Sequence, residues 1–159
     1  MKKIKKEIYL LPAILWMMGI FFFSHQPADL SNENNFFIAN VLRTCDLELF
    51  TSMDYDLLNL LIRKAAHITE YFILFMLLYF AIKKLSQYRD SILKNSILKA
   101  SISTILYACT DEFHQLFIQG RAGRIQDVLI DSIGIVVGIL VIWFCSKIRE
   151  IIICNKEKK

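Results

Sequence analysis

The sequence predicts an all-α integral membrane protein, a four-helix bundle with both termini in the cytoplasm. Two observations predict this class. Hydrophobic residues make up 55% of the 159 residues, and only 5 Gly and 2 Pro interrupt them, which is too apolar for a soluble domain. The apolar residues also fall into stretches of roughly the 20 residues that cross a bilayer. We expect a single membrane domain over residues 1–159.

The same composition excludes other classes of protein. The net charge of +4 comes from short basic runs beside apolar stretches, so it predicts membrane anchoring and no nucleic-acid binding. The four cysteines show no CxxC spacing, and they predict neither a disulfide framework nor a cysteine zinc site. They are Cys45, Cys109, Cys145 and Cys154.

Four transmembrane helices are predicted at about residues 4–24, 65–85, 96–118 and 128–148. The first resembles a signal peptide, but the Ser24-His25-Gln26-Pro27 segment that follows it is not a small-x-small cleavage site. The fourth contains Gly134 and Gly138 in GxxxG spacing, so we expect this face to pack inside the bundle.

Residues 25–62 form a long acidic loop between the first two predicted helices. Its apolar patches at 36–42 and 57–62 are too short to span a bilayer, and we expect them to form interfacial helices.

Orientation follows from the distribution of basic residues. Of the 19 Lys and Arg residues, all but five lie at the termini or between the second and third predicted helices. The positive-inside rule therefore places both termini in the cytoplasm of a multi-pass protein of the bacterial cytoplasmic membrane, with residues 25–62 outside. The five outer basic residues are Arg43, Arg63, Lys64, Arg121 and Arg124.

Ionisable residues of mixed type gather at the outer ends of the predicted helices. Helical spacing puts Arg63, His67 and Glu70 on one face of the second helix. The third helix ends with Asp111, Glu112, His114 and Gln115. A turn with Arg121 and Arg124 then leads to Asp127 and Asp131 at the start of the fourth, where carboxylates suit the helix dipole.

Charges at membrane depth are costly unless they face partners, so this set predicts one functional or tightly paired cluster. The candidate catalytic residues are His67, Glu70, Asp111, Glu112 and His114. The candidate substrate-binding residues are Arg63, Gln115, Arg121, Arg124, Asp127 and Asp131. Ser24 and His25, at the end of the first helix, rank second.

Three interpretations of the cluster stay open. It could be an interhelical polar network that fixes the geometry of the bundle. It could bind a metal through His67 with Glu70 and Asp111 with His114, each pair at i, i+3. It could also perform metal-free acid and base chemistry, with a histidine oriented by a carboxylate and an arginine on a lipid phosphate. A transporter is disfavoured because no predicted helix carries a charge near its middle or is broken by Pro.

The polar motifs resemble those of the VanZ-like family of small bacterial membrane proteins, named after a member associated with resistance to the glycopeptide antibiotic teicoplanin. The resemblance rests on three segments that cover most of the chain outside the outer loop and the tail. They are Phe23 to Pro27, Arg63 to Tyr71, and Asp111 to Gln115 with Gly120 to Arg124 and Asp127 to Asp131.

The resemblance implies a role in the cell envelope and in glycopeptide resistance, with membrane lipid, a lipid-linked envelope precursor or a glycopeptide antibiotic as partner. Family members often have a second serine where His25 stands and a hydroxyl residue where Ala122 stands. We therefore do not expect a serine nucleophile here. A non-catalytic partner-binding module and a metal-dependent hydrolase or transferase are the alternatives.

Overall fold

The computed structural model describes residues 6–44, 50, 52–86 and 94–157, and the regular elements among them are all helical. A short 3-10 helix, Lys6–Leu10, leads directly into the first α-helix. The α-helices are α1 (Leu11–Ser24), α2 (Ala28–Thr44), α3 (Tyr55–Ser86), α4 (Lys94–Gln115) and α5 (Ile125–Glu157). The predicted all-α class is confirmed.

Within the described residues, three helical segments are long and apolar enough to cross a membrane: Glu7–Ser24, Tyr55–Leu85 and Ile125–Lys156. The α4 helix is not among them. Its 22 residues would reach about 33 Å, but Lys99, Asp111 and Glu112 interrupt its apolar sequence. Three candidate spans therefore support assignment as a membrane protein, and the fourth predicted span, in α4, stays a prediction.

In the region predicted as an outer loop, residues 25–62, most of the described residues are helical. The patch at 36–42 lies within α2, but the patch at 57–62 is not a separate interfacial helix, because α3 begins at Tyr55 and runs through it. The predicted transmembrane segment at about 65–85 lies within α3, and the helix extends ten residues further toward the N-terminus, through Arg63 and Lys64. A helix continues through charged residues when their side chains reach a polar surface or cavity.

Helix α3 is the centre of the fold, since it contacts α1, α2, α4 and α5. Its fully buried side chains include Leu58, Tyr71, Leu74 and Phe75. Outward-facing aromatic residues such as Phe22, Phe80 and Trp143 remain exposed, at 65%, 57% and 60%. An apolar exterior around a packed interior suits a bilayer as the surrounding solvent.

Helices α3 and α5 approach each other closely at the two glycines of the GxxxG motif. A Cβ atom at Gly134 would collide with the backbone carbonyl of Ile68 and the backbone of Phe72. A Cβ atom at Gly138 would collide with the Phe75 ring. Both glycines are buried, so the predicted packing of this face is confirmed.

We predict that Gly134→Val destabilises the protein by about 1–3 kcal/mol or more, because overpacking a tight backbone contact forces the helices apart. The measurement is thermal unfolding of purified protein in detergent. Gly19→Ala is the matched control, since nothing lies within 4 Å of its new Cβ atom. Equal unfolding temperatures for Gly134→Val and Gly19→Ala would contradict the proposed contact between α3 and α5.

Candidate functional site

Polar side chains from four helices meet at one level of the fold, which we call the polar layer. Its members are Ser24 at the end of α1, His67 and Tyr71 in α3, Asp111, Glu112 and Gln115 at the end of α4, and Asp131 in α5. The C-terminal ends of α1 and α4 therefore lie beside the first halves of α3 and α5. This meeting of helix ends was predicted from the sequence.

Asp111 is the most heavily hydrogen-bonded carboxylate of the polar layer. Its Oδ2 accepts hydrogen bonds from Ser24 Oγ at 2.9 Å, from Gln115 Nε2 at 3.1 Å and from the Tyr71 hydroxyl at 3.2 Å. The carboxylate is only 3% exposed. Three donors from three helices hold Asp111 in place, so it ties α1, α3 and α4 together.

A second group of the polar layer, the triad, consists of His67 from α3, Glu112 from α4 and Asp131 from α5. Each residue offers one ligand atom, and these three atoms lie within 4.8 Å of one another. His67 Nδ1 is 3.4 Å from Asp131 Oδ1, which is ion-pair distance. Neither atom makes a hydrogen bond of acceptable geometry to the described residues. The triad has the residue types and spacing to hold a metal ion.

Glu112 is oriented by the turn that connects α4 to α5. The backbone N–H of Arg124 donates to Glu112 Oε2 at 2.8 Å. Gly123 makes this approach possible, because a Cβ atom there would collide with the Glu112 carbonyl. Gly120, with a φ of 74°, turns the chain back earlier in the same segment. The Gly-Arg turn is thus a structural part of the site.

A cavity of about 330 Å³ opens between α1, α2 and α3. Arg63, His67 and Glu70 line it together, as their helical spacing predicted. Arg121 lines the cavity from the Gly-Arg turn, and Asn34 and Asn35 of α2 add amide groups. The other lining residues are Phe23, Ser24, Gln26, Ser31, Ile38 and Ala66. Two cations, an imidazole and a carboxylate therefore surround one polar space.

Arg121 joins this cavity to the end of α1. Its Nε donates to the Gln26 carbonyl at 2.8 Å, and its Nη2 donates to the Phe23 carbonyl at 3.1 Å. Burial lowers the pKa of the Arg121 guanidinium from its ordinary value, and the carboxylates of Asp111 and Glu70 oppose that shift. An arginine stays charged under these conditions, so Arg121 both caps α1 and brings a cation to the cavity.

The remaining candidates lie away from the cavity. His114 Nε2 is 3.1 Å from His25 Nδ1, and Phe21 packs against the His114 ring. Asp127 forms an ion pair with Lys64. The side chain of Arg124 is exposed and lines a separate cavity of about 220 Å³ with Glu112.

The structure pairs the candidate residues differently from the predicted metal pairs. His67 faces Glu112 and Asp131, whereas Glu70 lines the cavity and His114 meets His25. Tyr71 was missed by sequence reasoning, although it follows Glu70 and lies one helical turn after His67. Trp16 was also missed; its indole Nε1 donates to the Glu70 carbonyl at 2.9 Å.

Comparison with known proteins supports the resemblance seen in the motifs. The family model described as VanZ/LLP1 matches residues 9–146. No curated protein and no solved structure matches the chain.

We predict that Asp111→Ala lowers the free energy of unfolding by about 3–5 kcal/mol, because it leaves three buried donors without an acceptor. The measurement is thermal unfolding in detergent. His114→Ala, three residues away and outside this set of hydrogen bonds, is the control. An Asp111→Ala variant as stable as His114→Ala would show that the carboxylate does not link the helices.

Proposed function

Because the chain belongs to the VanZ-like family and carries three helices that could cross a membrane, we propose that it binds an anionic lipid headgroup at the outer face of the bacterial cytoplasmic membrane. The ligand class is a lipid-linked component of the cell envelope. Such binding would affect susceptibility to glycopeptide antibiotics of the teicoplanin type, the role for which the family is named.

The observation that carries this proposal is the cavity lined by Arg63, His67, Glu70 and Arg121. Arginine binds phosphate oxygens through its planar fork of N–H donors, and two arginines here face the same space. The surrounding exterior is apolar, with Phe22 and Phe23 exposed at 65% and 55%. A cationic pocket within an apolar surface suits a molecule with a charged head and an acyl or isoprenoid tail.

Arg63 and Arg121 have different parts in this proposal. Arg121 is held by two backbone carbonyls of the segment that ends α1, so it provides a fixed charge. Arg63 is exposed at the cavity and can close on a ligand. His67 and Glu70 stand at the same cavity, where an imidazole and a carboxylate could exchange protons with a bound headgroup.

The outer-face location rests on the charge distribution. Nine of the basic residues belong to the terminal segments, Lys2 to Lys6 and Lys147 to Lys159, and the cavity lies at the opposite ends of the helices from Lys83 and Lys84. We propose that α4 crosses the membrane with the three apolar spans, which returns both termini to the cytoplasm.

Thiol labelling in intact cells tests this topology. In a variant that keeps Cys154 and has serine at the other three cysteines, we expect a membrane-impermeant maleimide to react only after lysis. In a cysteine-free chain carrying Glu33→Cys, on the exposed surface of α2, we expect reaction before lysis. The opposite pattern would overturn the proposed orientation.

A non-catalytic structural module is the second candidate function. The hydrogen bonds that Asp111 accepts favour it, because they link three helices without a ligand. The two functions differ at Arg63, which lines the cavity and is exposed, so that a purely structural module would tolerate its loss.

We predict that Arg63→Ala weakens binding of dihexanoyl phosphatidylglycerol to the detergent-solubilised protein at least about tenfold, since a hydrogen bond to a charged group contributes about 1.5–3 kcal/mol. Trp16 fluorescence is a suitable signal, because its indole bonds to the Glu70 backbone beside the cavity. Arg124→Ala is the matched control: it removes the same charge outside the cavity. Dihexanoyl phosphatidylcholine should bind more weakly to every variant.

The same pair of variants can be compared in cells for teicoplanin susceptibility at equal membrane abundance. We expect Arg63→Ala to behave like cells without the protein and Arg124→Ala to behave like the unmodified chain. Equal loss of phosphatidylglycerol binding in both variants would show attraction by surface charge alone and would overturn the cavity as the binding site.

A further inference from the structure

In the triad of His67, Glu112 and Asp131, only His67 has a part in the headgroup binding proposed above, and Glu112 and Asp131 have none. Each member comes from a different helix, and the three ligand atoms converge within 4.8 Å. Two of the members are almost fully buried, with Asp131 at 0% and Glu112 at 5% exposure. Such convergence in an apolar bundle calls for a physical explanation.

Asp131 is the member of the triad whose buried charge receives the fewest hydrogen bonds. Both of its carboxylate oxygens are buried and lack a hydrogen-bond partner among the described residues. By contrast, Asp111 lacks a partner only on Oδ1 and accepts three hydrogen bonds on Oδ2, and Asp127 pairs with Lys64. Burying a carboxylate without donors is strongly unfavourable, so Asp131 points to a positively charged ligand.

We propose that the triad binds a divalent transition-metal ion of the Zn²⁺ type. One imidazole nitrogen and two carboxylate oxygens form a ligand set used by such ions, which leaves a further coordination position for water or substrate. Ligands held at about 2.1 Å in a tetrahedron lie about 3.4 Å apart, and His67 Nδ1 and Asp131 Oδ1 are 3.4 Å apart. The Glu112 ligand atom lies within 4.8 Å of the other two, so binding requires it to move closer to them.

The surroundings of the triad support the assignment. A ligating carboxylate is usually oriented by a hydrogen bond from a neighbouring group, and Glu112 receives one from the Arg124 backbone. The close contact at Gly134 holds α3 and α5 at the distance that brings His67 to Asp131. His67 also lines the headgroup cavity, so an ion bound here would lie one side chain away from the bound lipid.

Zinc binding by the purified full-length protein tests the proposal. After removal of any affinity tag and dialysis against chelator, titration with Zn²⁺ should give one ion per chain. Asp131→Asn and Glu112→Gln keep the side-chain size but remove a charged ligand, and each should weaken Zn²⁺ binding at least about tenfold. His114→Ala is the matched control and should bind Zn²⁺ like the unmodified chain, because His114 contacts His25 and Phe21.

Cobalt substitution keeps the test decisive if a variant unfolds. Co²⁺ added to the metal-free unmodified protein should give the visible absorption bands of a four-coordinate nitrogen and oxygen site, and Zn²⁺ should abolish them. Failure to bind either ion would overturn the proposal and would indicate that His67 and Asp131 form a metal-free ion pair. Loss of Zn²⁺ in His114→Ala, with retention in Asp131→Asn, would place the ion at the His25 and His114 pair instead.

The metal site shares His67 with the headgroup cavity, but the two kinds of binding can be measured separately. The Zn²⁺ titration uses no lipid, and the phosphatidylglycerol measurement is made on protein treated with chelator and on protein loaded with Zn²⁺. Loss of lipid binding in Arg63→Ala together with normal Zn²⁺ stoichiometry would show that the two ligands bind at separate sites. Zn²⁺ binding by an unmodified chain that binds no lipid would support the metal site and overturn only the proposed function.

Discussion

Burial of carboxylates inside an apolar helical bundle is the constraint on which the rest of this structure depends. Asp111, Glu112 and Asp131 are each at most 5% exposed, and the exterior around them is apolar. A buried charge must find donors or a counter-ion, because water is not available to solvate it. The helix ends therefore gather at one level, where Ser24 and Tyr71 supply hydroxyl donors to Asp111.

Small residues make this arrangement possible at the level of the backbone. Gly134 lets α5 approach the α3 backbone, and Gly123 lets the connecting turn approach the end of α4. The first contact brings Asp131 to His67, and the second brings the Arg124 amide to Glu112. Both halves of the triad thus depend on positions where a side chain has no room.

Two kinds of polar environment result from the same constraint. Asp111 accepts three hydrogen bonds on Oδ2, which suits a structural link between helices, although its Oδ1 has no hydrogen-bond partner among the described residues. Asp131 accepts no hydrogen bond from the described residues and has His67 Nδ1 at 3.4 Å, whereas Arg63 and Glu70 face a cavity. We therefore propose that stability and ligand binding depend on different carboxylates of one layer, and His67 belongs to both the cavity and the triad.

The sequence by itself determined the helical class, three apolar spans, the buried glycine face of α5 and the shared face of Arg63, His67 and Glu70. These features depend only on composition and on the period of one helix. It did not show that α3 begins as early as Tyr55, since local charge does not end a helix whose side chains reach a polar cavity. Only the tertiary structure decided that His67 meets Asp131 and Glu112, whereas the sequence had paired it with Glu70. Which residues meet across two helices depends on the rotation and depth of each helix. Backbone contacts such as the one at Gly134 set both, and the periodicity of a single helix does not predict such contacts.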